Sequence, residues 1–548
     1  MRPIRYSDEM IGEFRRDGYW TDEVFYDFWA KNAREIGDRE ALVDSRYRVT
    51  WFQAKRLVDN LAYAWVEMGI PKDSRMIIQA PNSVFGFIAR IACERAGLIS
   101  LAVYPYLREK ELTFMVERTE AVAVAIPHLY RKFNYLEMYK ELRKTSPYLK
   151  HFFLFEEEIP ASAPEGTSSI IKLANQPVSE SKLSILDKRR FNAYHDVGLL
   201  TSTTGTTGLP KLVEWPIAPR VCTSKSRVDI WNLTKDDVTL ALAPHAGGAA
   251  GTLTYFAAPL VGAKTALMEE FEPEGALALI EKEEVTAIGV VPTHLVRMLE
   301  VNEKKYDLSS LRFIRSAGGY LSPQVAEEAE KRYKAIITSD LGTQDVGSVS
   351  GCSVDDPAEV RRRTVGRMLP GNKVRLLSDN GKDVPEGEPG TLWFRGPHAP
   401  AGYYRDPEAT AQVFNKDGWT TTGDIVKLEE GFLWIMGRAK DMIIRGGQNI
   451  YPAEIEGILN EHPKVTNVAI IGYPDKEMGE RACAFIVVKP GETFTKDEMI
   501  SFLKEKKLAA YKLPERFEIL DSLPFVGDSG KVDKKALKAA LEKKLAGA

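Results

Sequence analysis

The sequence predicts an α/β protein in which a large N-terminal domain precedes a small C-terminal domain. Through residues 1–190 and again through 196–430, helical patterns alternate with short apolar strands, a rhythm typical of βαβ units and a largely parallel sheet. Turn residues mark off a smaller unit of strands within the second stretch. The alternation restarts after Gly437, and we therefore place the domain boundary near residues 437–441.

The first half of the chain supplies apolar helices between buried strands. Residues 52–68 predict a helix, because one helical face gathers Leu57, Leu61, Ala64, Trp65 and Met68. The next predicted elements are a strand at 74–79, a helix at 84–96 and a strand at 98–104. Residues 156–190 are polar and mixed, and they predict surface loops.

The second half repeats this pattern and then changes it. Buried strands are predicted at 237–243, 286–291 and 335–338, and strands of the smaller β unit at 373–377 and 390–395. Beyond Gly437 the predicted order is helix 452–459, strand 465–473, strand 482–488 and helix 496–506. The lysine-rich residues 531–544 predict a solvated terminal helix rather than a membrane anchor.

Composition argues against several classes of protein. The 548 residues hold 74 Lys and Arg against 77 Asp and Glu, a net charge of −3 that argues against a dedicated nucleic-acid binder. No apolar stretch approaches the roughly 18 residues of a transmembrane helix, so stable membrane insertion is not expected. The first residues lack the apolar core of a signal peptide. The four cysteines are too widely spaced for a zinc knuckle or a redox pair, and they favour reduced thiols in the cytoplasm.

The sharpest motif is a loop rich in hydroxyl groups and glycine, which we call the phosphate loop (residues 201–211). It follows an apolar strand pattern at 197–200, and its glycines let backbone amides approach an anion closely. No Gly-Lys-Ser/Thr ends the loop, so it is not a Walker P-loop. The candidate phosphate ligands are Thr201, Ser202, Thr203, Thr204, Gly205, Thr206 and Lys211.

Further motifs follow the phosphate loop along the chain. They lie at residues 419–424, 437–441, 446–447, 452–456 and 530–531. With them, nearly the whole chain resembles the adenylate-forming superfamily of acyl- and aryl-CoA synthetases, aryl-AMP ligases, peptide-synthetase adenylation domains and luciferases. The resemblance implies a large N-terminal domain of α/β and β subdomains (1–437) and a small mobile α+β C-terminal domain (442–548). Between them it implies a hinge at 438–441 that turns about Lys440.

The resemblance also implies a two-step reaction that uses ATP, Mg²⁺ and coenzyme A. A carboxylate attacks the α-phosphate of MgATP to give an acyl-adenylate and pyrophosphate, and a thiol then displaces AMP. In such enzymes Lys531 would contact the carboxylate and the α-phosphate, and Thr343 would contact the α-phosphate. Asp424 would accept hydrogen bonds from both ribose hydroxyls, and Arg438 would provide a second ribose contact.

Residues 339–345 depart from the family pattern. Leu341 stands where the family usually has an aromatic residue stacked on adenine, and Asp345 stands where a glutamate coordinates Mg²⁺. The shorter carboxylate can still bind a hard cation through water. Asp340 and Gly342 flank Leu341 and are assigned to the same nucleotide site. A non-catalytic nucleotide-binding protein is therefore an alternative, although a pure binder would have little use for Lys531.

Two stretches of small residues are predicted to wall the acid pocket. In aryl ligases a histidine at the place of His245 packs beside the substrate carboxylate. Ala246 replaces the asparagine of dihydroxybenzoate ligases, which weighs against a 2-hydroxyaryl acid and favours an unsubstituted aromatic, alicyclic or short aliphatic acid. Neither stretch supplies a charge for a second carboxylate or an amine. The other wall residues are Gly247, Gly248, Gly318, Gly319 and Tyr320.

The thiol acceptor is predicted from the residues beyond the last motif. No serine-bearing carrier unit comes after residue 531, so free coenzyme A is the simpler acceptor, and Gly446 and Gly447 would line its pantetheine tunnel. The segment 18–23 resembles stand-alone aryl-AMP ligases that load a carrier protein, which keeps that alternative open. A homodimer is a habit of the family.

Overall fold

The computed structural model describes residues 1–203, 210–378, 380–446, 448–525 and 532–546. Five predicted site residues lie outside the described residues, namely Thr204, Gly205, Thr206, Gly447 and Lys531. The α-helices of the described residues are Asp8–Arg16, Phe25–Glu35, Trp51–Glu67, Val84–Arg95, Glu109–Thr119, Tyr135–Thr145, Ile170–Asn175, Glu180–Asp187, Ile217–Trp231, Gly248–Gly251, Ala258–Val261, Pro273–Glu283, Pro292–Leu299, Pro323–Tyr333, Ala358–Arg363, Pro407–Val413, Pro452–Leu459, Lys496–Glu505 and Lys534–Ala546.

The first sheet contains the strands that precede and follow the phosphate loop. Within the described ranges it has eight strands, in the order Gly402–Tyr403, Leu212–Pro216, Val197–Ser202, Ile99–Val103, Arg75–Gln79, Ala123–Ile126, His151–Leu154 and Thr167–Ser169. The last six are mutually parallel, and the two strands at the other edge are antiparallel to their neighbours. The phosphate loop thus leaves a buried parallel strand, Val197–Ser202, and returns as the antiparallel strand Leu212–Pro216.

The second sheet has a parallel half and an antiparallel half. In the described part of the chain its parallel strands run Glu40–Val43, Lys264–Leu267, Val238–Ala241, Ala287–Val290, Phe313–Ser316 and Ile336–Thr343, with Arg48–Thr50 antiparallel at the edge. The antiparallel half continues through Gly347–Gly351, Arg367–Met368, Phe432–Arg438, Thr420–Glu429, Gly390–Arg395 and Lys373–Leu377. The strand Ile336–Thr343 joins the two halves, because its two neighbours run in opposite senses.

The residues after the hinge segment form their own sheet and apolar cores. The described strands of this sheet are Gln448–Ile450, Ile443–Arg445, Gly479–Val488, Val465–Asp475 and Arg516–Ile519. Ile455 and Leu503 place the helices Pro452–Leu459 and Lys496–Glu505 on one core. The terminal helix buries Leu537 and Leu541 against Phe485 in another.

The predicted α/β class with a separate C-terminal domain is confirmed. Most element bounds differ by only a residue or two, as in the helix predicted at 52–68 and found as Trp51–Glu67. The loops predicted at 156–190 are wrong in part, since this stretch holds the helices Ile170–Asn175 and Glu180–Asp187. The first of them is tied to the helix Trp51–Glu67, because Asn60 donates its side-chain amide to the carbonyl of Ala174 at 2.9 Å.

The terminal helix is found as predicted, but its apolar face is docked on the C-terminal sheet rather than solvated. Within the described ranges, no helix combines the length and apolarity that crossing a bilayer requires.

Candidate active site

The carboxyl ends of the parallel strands collect the predicted site segments. In open α/β sheets ligands bind at this edge, where the connections leave the strands. The strand Val238–Ala241 leads to the acid loop (residues 243–251), Phe313–Ser316 leads to Gly318, and Ile336–Thr343 ends at Thr343 itself. A Cβ on Gly289 would lie 2.5 Å from the carbonyl oxygen of Ala249, so the acid loop packs directly on a neighbouring strand.

The two ends of the phosphate loop are clasped together. The backbone N–H of Thr203 donates to the carbonyl of Lys211 at 2.9 Å, and the N–H of Lys211 donates to Thr203 Oγ1 at 3.1 Å. Thr201 and Ser202 are buried at the end of the strand, and Thr201 Oγ1 accepts a hydrogen bond from Trp215 Nε1 at 3.1 Å. The hydroxyls of Thr201 and Thr203 therefore already help to hold the loop in place.

Thr343 and Asp345 form a cluster with groups from two other segments. Thr343 Oγ1 donates to Asp345 Oδ1 at 2.7 Å, and the Tyr403 hydroxyl donates to Asp345 Oδ2 at 3.0 Å. Lys211 Nζ lies 4.4 Å from the centre of the Tyr403 ring. Burial and the Asp345 carboxylate raise the pKa of Tyr403, which keeps this hydroxyl a donor. The phosphate loop and the Thr343 segment are thus linked through one tyrosine.

The chemistry of this cluster fits a magnesium ion that is shared with a phosphate. Mg²⁺ is held by one or two carboxylates, by substrate phosphates and by water, rather than by an all-protein cage. Asp345 offers one such carboxylate. In the described part of the chain no group of three or more His, Cys, Asp or Glu residues is placed to hold a metal. The residues present therefore suit a phosphate-bound cation better than a resident one.

The residues just before Thr343 support the fold around the site. Asp340 is buried, and Arg315 donates to both of its oxygens, from Nε at 2.8 Å and from Nη2 at 3.0 Å. Burial alone would raise the pKa of Asp340, but the charges of Arg315 and Arg227 lower it below its ordinary value. Leu341 belongs to the core of the β unit, and a Cβ on Gly342 would come within 2.9 Å of the carbonyl oxygen of Gly347.

Asp424 offers a buried carboxylate oxygen that no donor of the described residues contacts. Asp424 and Arg438 are directly opposite each other on antiparallel strands, and Arg438 Nε lies 3.0 Å from Asp424 Oδ1. Asp424 is only 4% exposed, and its Oδ2 is buried without a hydrogen-bond donor among the described residues. A buried acceptor without a donor is unfavourable, so this oxygen is available for a ligand hydroxyl. Gly423 has φ +73, the left-handed conformation that glycine adopts without strain.

The predicted hinge is a short exposed turn. Lys440 lies in the 3₁₀ turn Ala439–Asp441, which directly follows the strand that carries Arg438. Gly446 has φ +56, and its N–H donates to the carbonyl of Met478 at 2.7 Å. Gly446 is thereby fixed to the C-terminal sheet, on the far side of the turn from Arg438.

His245 is held in an apolar site by its backbone. Its N–H donates to Asn82 Oδ1 at 2.9 Å, and Asn82 in turn donates to the carbonyls of Ala241 and Ala243. The His245 ring meets Phe87 edge-on at 5.2 Å, and both ring nitrogens are buried without partners in the described structure. Burial, and then the charge of Arg90, lower the pKa of His245 well below its ordinary value, so the ring is neutral.

Two glycines after His245, Gly247 and Gly251, are required by close packing. A Cβ on Gly247 would lie 2.7 Å from the Tyr104 hydroxyl, and one on Gly251 would lie 2.5 Å from the carbonyl oxygen of His245. Arg315 Nη1 donates to the carbonyl of Gly248 at 2.8 Å, which ties this loop to Asp340. Gln344 Nε2 lies 3.4 Å from the carbonyl oxygen of Ala246. The acid loop is therefore fixed in position by the Asp340 ion pair and by the Thr343 segment.

The second predicted wall faces the C-terminal domain. Gly318 has φ +87, and Tyr320, two residues later, is 55% exposed. A Cβ on Gly457 would lie 3.3 Å from the Tyr320 hydroxyl, so Tyr320 reaches the helix Pro452–Leu459. Gly319 lies beside Pro292, with space for a Cβ at 3.5 Å. This wall thus includes a contact between the two domains.

Comparison with protein families shows which family the chain belongs to. The family model described as AMP-binding enzyme matches residues 29–404, more than half of the chain, and the model of the AMP-binding enzyme C-terminal domain matches residues 454–531. The chain belongs to the AMP-binding enzyme family. The predicted superfamily is therefore confirmed, as is the prediction of a ligase that activates a carboxylic acid through an acyl-adenylate.

Individual relatives of this AMP-binding enzyme match over nearly their full length. It is 33% identical to a 2,3-dihydroxybenzoate-AMP ligase of Bacillus subtilis (strain 168), over 98% of each chain. It is 30% identical to a 2-hydroxy-7-methoxy-5-methyl-1-naphthoate–CoA ligase of Streptomyces carzinostaticus, over 98% of this chain and 96% of the relative. A solved structure of the anthranilate CoA ligase AuaEII with anthranoyl-AMP superposes with a TM-score of 0.83 at 24% identity, over 96% of this chain and 98% of that one.

Sequence reasoning missed several polar residues of this AMP-binding enzyme's site. Tyr403 and Gln344 carry no motif signal, since their partners are distant in sequence or belong to the backbone. Arg90 had a signal, because it interrupts the apolar pattern of a helix that is buried almost all round. Arg220 follows Pro219 in the first turn of another buried helix.

Proposed function

We propose that this AMP-binding enzyme is an AMP-forming acyl-CoA synthetase. It would convert a carboxylic acid and MgATP to acyl-AMP and pyrophosphate, and then transfer the acyl group to coenzyme A with release of AMP. The observation that best supports the proposal is the Thr343–Asp345–Tyr403–Lys211 cluster. It combines a hydroxyl donor, a carboxylate suited to Mg²⁺ and the lysine of the phosphate loop, as the transfer of an adenylyl group requires.

The first step is assigned to residues of the N-terminal domain and to Lys531. Lys211 would donate to phosphate oxygens, and the Thr343 hydroxyl would turn from Asp345 to donate to the α-phosphate. Asp424 would accept a ribose hydroxyl through Oδ2, which no donor of the described residues contacts. Asp345 would hold Mg²⁺, which neutralises phosphate charge when bound. Lys531 reduces the repulsion between the carboxylate and the α-phosphate. Most of the rate enhancement then comes from positioning and charge stabilisation.

The acid is proposed to enter beside His245. A neutral imidazole in an apolar site neither repels the carbon skeleton of an acid nor neutralises the carboxylate that must attack. The apolar surroundings, with Phe87 at 5.2 Å, suit an aromatic, alicyclic or short-chain acid. His245 thus packs beside the acid without exchanging a proton with it.

The second step is proposed to occur after rotation of the C-terminal domain about Lys440. Rotation would withdraw Lys531 and bring Gly446 and Gly447 to the site, where coenzyme A attacks the mixed anhydride. A hinge needs only a few residues that change φ and ψ, and the exposed turn Ala439–Asp441 has this form.

A homodimer and a cytoplasmic location are also part of the proposal. The location is supported by four buried thiols that form no disulfide.

The test measures both half-reactions with the intact protein. ATP–pyrophosphate exchange reports adenylation, and AMP release with and without coenzyme A reports transfer, across benzoate, cyclohexanecarboxylate, dihydroxybenzoate and fatty acids of two to twelve carbons. Turnover that requires coenzyme A supports the proposal. Exchange without coenzyme A-dependent turnover points instead to an aryl-AMP ligase that loads a carrier protein, in line with the AMP ligase name of the Bacillus subtilis relative. ATP binding without exchange for any acid, monocarboxylic or dicarboxylic, overturns the catalytic assignment.

A further inference from the structure

Two arginines meet at the base of the acid loop. Arg90 is 4% exposed, its Nη1 donates to the carbonyl of His245 at 3.1 Å, and its guanidinium lies 3.6 Å from the centre of the Tyr255 ring. Arg220 lies 3.5 Å from the centre of the Trp215 ring and donates to Gln344 Oε1 at 3.3 Å. Both guanidinium groups also lie within 6 Å of the Phe256 ring, Arg90 at 5.6 Å and Arg220 at 5.1 Å.

Neither arginine has a counter-ion among the described residues. Among the described residues, four arginines are less than one-tenth exposed. Three of them pair with carboxylates: Arg227 and Arg315 with Asp340, and Arg361 with Glu330. Arg90 is the exception. No carboxylate of the described residues lies within ion-pair distance of Arg90 or Arg220, and the Nε atoms of both are buried without an acceptor.

Two like charges in an apolar site are costly unless an anion joins them. Aromatic faces offset part of the cost, but they do not accept the remaining N–H groups. Burial lowers the pKa of Arg90, and burial together with the charge of Arg90 lowers the pKa of Arg220 to about 9. The protein thus retains a charged pair at the expense of stability, which is typical of a binding site.

The pair lies beside the first residues of the acid loop, His245 and Ala246. Arg90 holds the backbone of His245 from one side. Arg220 holds Gln344, whose amide faces the carbonyl of Ala246 and whose neighbours in sequence are Thr343 and Asp345. The acid loop supplies no charge of its own, as the sequence indicated. The charge comes instead from two helices, Val84–Arg95 and Ile217–Trp231, which carry Arg90 and Arg220.

We propose that the acid substrate is a dicarboxylic acid whose second carboxylate binds between Arg90 and Arg220. This inference rests on the proposed function and specifies its substrate. The second carboxylate is favoured over the reacting one for a chemical reason. A carboxylate held by two guanidinium groups loses nucleophilicity, whereas the reacting carboxylate must attack phosphorus. A distal anion would instead fix the substrate and leave the reacting end beside His245.

The test compares acids that differ only in the second carboxylate. Pairs are hexanoate with hexanedioate, benzoate with phthalate or isophthalate, and cyclohexanecarboxylate with its 1,2-dicarboxylate, in ATP–pyrophosphate exchange at pH 8. We expect at least one diacid to exceed its monoacid in kcat/KM by on the order of 100-fold, the range that a buried charge pair provides. Activity with monoacids and none with diacids overturns the inference but leaves the proposed function intact. Exchange with neither class overturns both.

Variants then assign the preference to the arginines. In Arg90→Met and Arg220→Met we expect the diacid-to-monoacid ratio of kcat/KM to fall by roughly tenfold or more. Arg34→Met, which removes an arginine 73% exposed, is the matched control and should leave the ratio unchanged. Equal losses for both acids, or a rise confined to the KM for ATP, would show that the arginines bind the reacting carboxylate or a phosphate, and would overturn the inference.

The inference stays testable if Arg90→Met fails to fold. Arg220→Met removes the less buried arginine, and thermal melting reports whether each variant is folded. Calorimetric titration of hexanedioate and hexanoate onto the wild-type protein gives a second measurement. Tighter binding of the diacid is the expected result, and equal affinity contradicts it.

Discussion

Arg438 Nε lies 3.0 Å from Asp424 Oδ1, and the two residues face each other across adjacent antiparallel strands. The pairing fixes one carboxylate oxygen and leaves the other, Oδ2, buried without a donor in the described structure. Arg438 is also the last residue before the turn Ala439–Asp441. The group that orients the proposed ribose acceptor therefore directly adjoins the proposed hinge.

Replacement of Asp424 should weaken nucleotide binding. Asp424→Ala removes both the free acceptor and the partner of Arg438, so we expect the KM for ATP to rise roughly ten- to a hundredfold. ATP titration of pyrophosphate exchange measures this effect. Asp383→Ala, which removes a carboxylate from an exposed pair with Arg375, is the control. An unchanged KM for ATP in Asp424→Ala would refute the ribose assignment.

Asp345 should set the requirement for magnesium. In Asp345→Ala we expect half-maximal exchange to need about tenfold more free Mg²⁺, because a phosphate-bound ion loses its protein carboxylate. Asp345→Glu keeps the charge and should keep most of the affinity. The measurement is the exchange rate against free Mg²⁺ at saturating ATP. If the alanine and glutamate variants behave alike, the carboxylate does not hold the ion.

The two half-reactions should separate in variants of the C-terminal domain. Lys531→Ala should abolish adenylation but spare thioester formation from acyl-adenylate supplied to the enzyme. Lys440→Pro should chiefly impair thioester formation, because proline restricts φ at the proposed pivot. Lys543→Ala, a change near the end of the terminal helix, controls for lost charge. Equal losses in both half-reactions for both variants would count against domain rotation.

The sequence carries the periodic features of the fold but not its long-range polar contacts. Alternating apolar runs predict the parallel strands within a few residues, since the pattern itself is local; the strand predicted at 286–291 is Ala287–Val290. By contrast, the contact of Arg90 with His245 joins residues 155 positions apart, and that of Tyr403 with Asp345 joins residues 58 apart. Such pairs depend on how the sheets pack, which no single segment encodes.

The candidate site likewise combines features that local sequence predicts with contacts that only the packed structure shows. The sequence places Thr343, Asp345, Asp424 and His245 in or beside strands, where the structure has them. It assigns Asp340 to the nucleotide, whereas the structure occupies that carboxylate with Arg315 and Arg227. An aspartate near a strand end looks the same in sequence in either role. Only the positions of the arginines distinguish the two.

The Asp340 ion pair should contribute strongly to stability. Asp340→Asn would leave Arg315 and Arg227 as buried charges without a partner, and removal of one member of such a pair costs about 3 kcal/mol or more. We expect a clear fall in Tm by differential scanning calorimetry. Asp383→Asn breaks an exposed pair with Arg375 and should cost less than about 1 kcal/mol. Equal shifts in the two variants would contradict a buried pair at Asp340.

His245 should make the protein less stable in mild acid. Its pKa is lowered by burial in the folded state, whereas an unfolded histidine binds a proton below about pH 6.5. The unfolded state therefore binds more protons there, and stability falls as the pH decreases from about 6.5, by about 1 kcal/mol at pH 5.5 from this one group.

The variant His245→Phe isolates that contribution. Phenylalanine keeps a ring against Phe87 and loses no hydrogen bond that the described residues make with the imidazole. Between pH 7.5 and 5.5 we expect the Tm of His245→Phe to fall less than that of the wild type. The control is His195→Phe, which changes a partly exposed ring, and its Tm should fall as much as that of the wild type. An identical pH dependence in all three proteins would mean that His245 is protonated in the folded state, and would remove the basis for a neutral ring beside the acid.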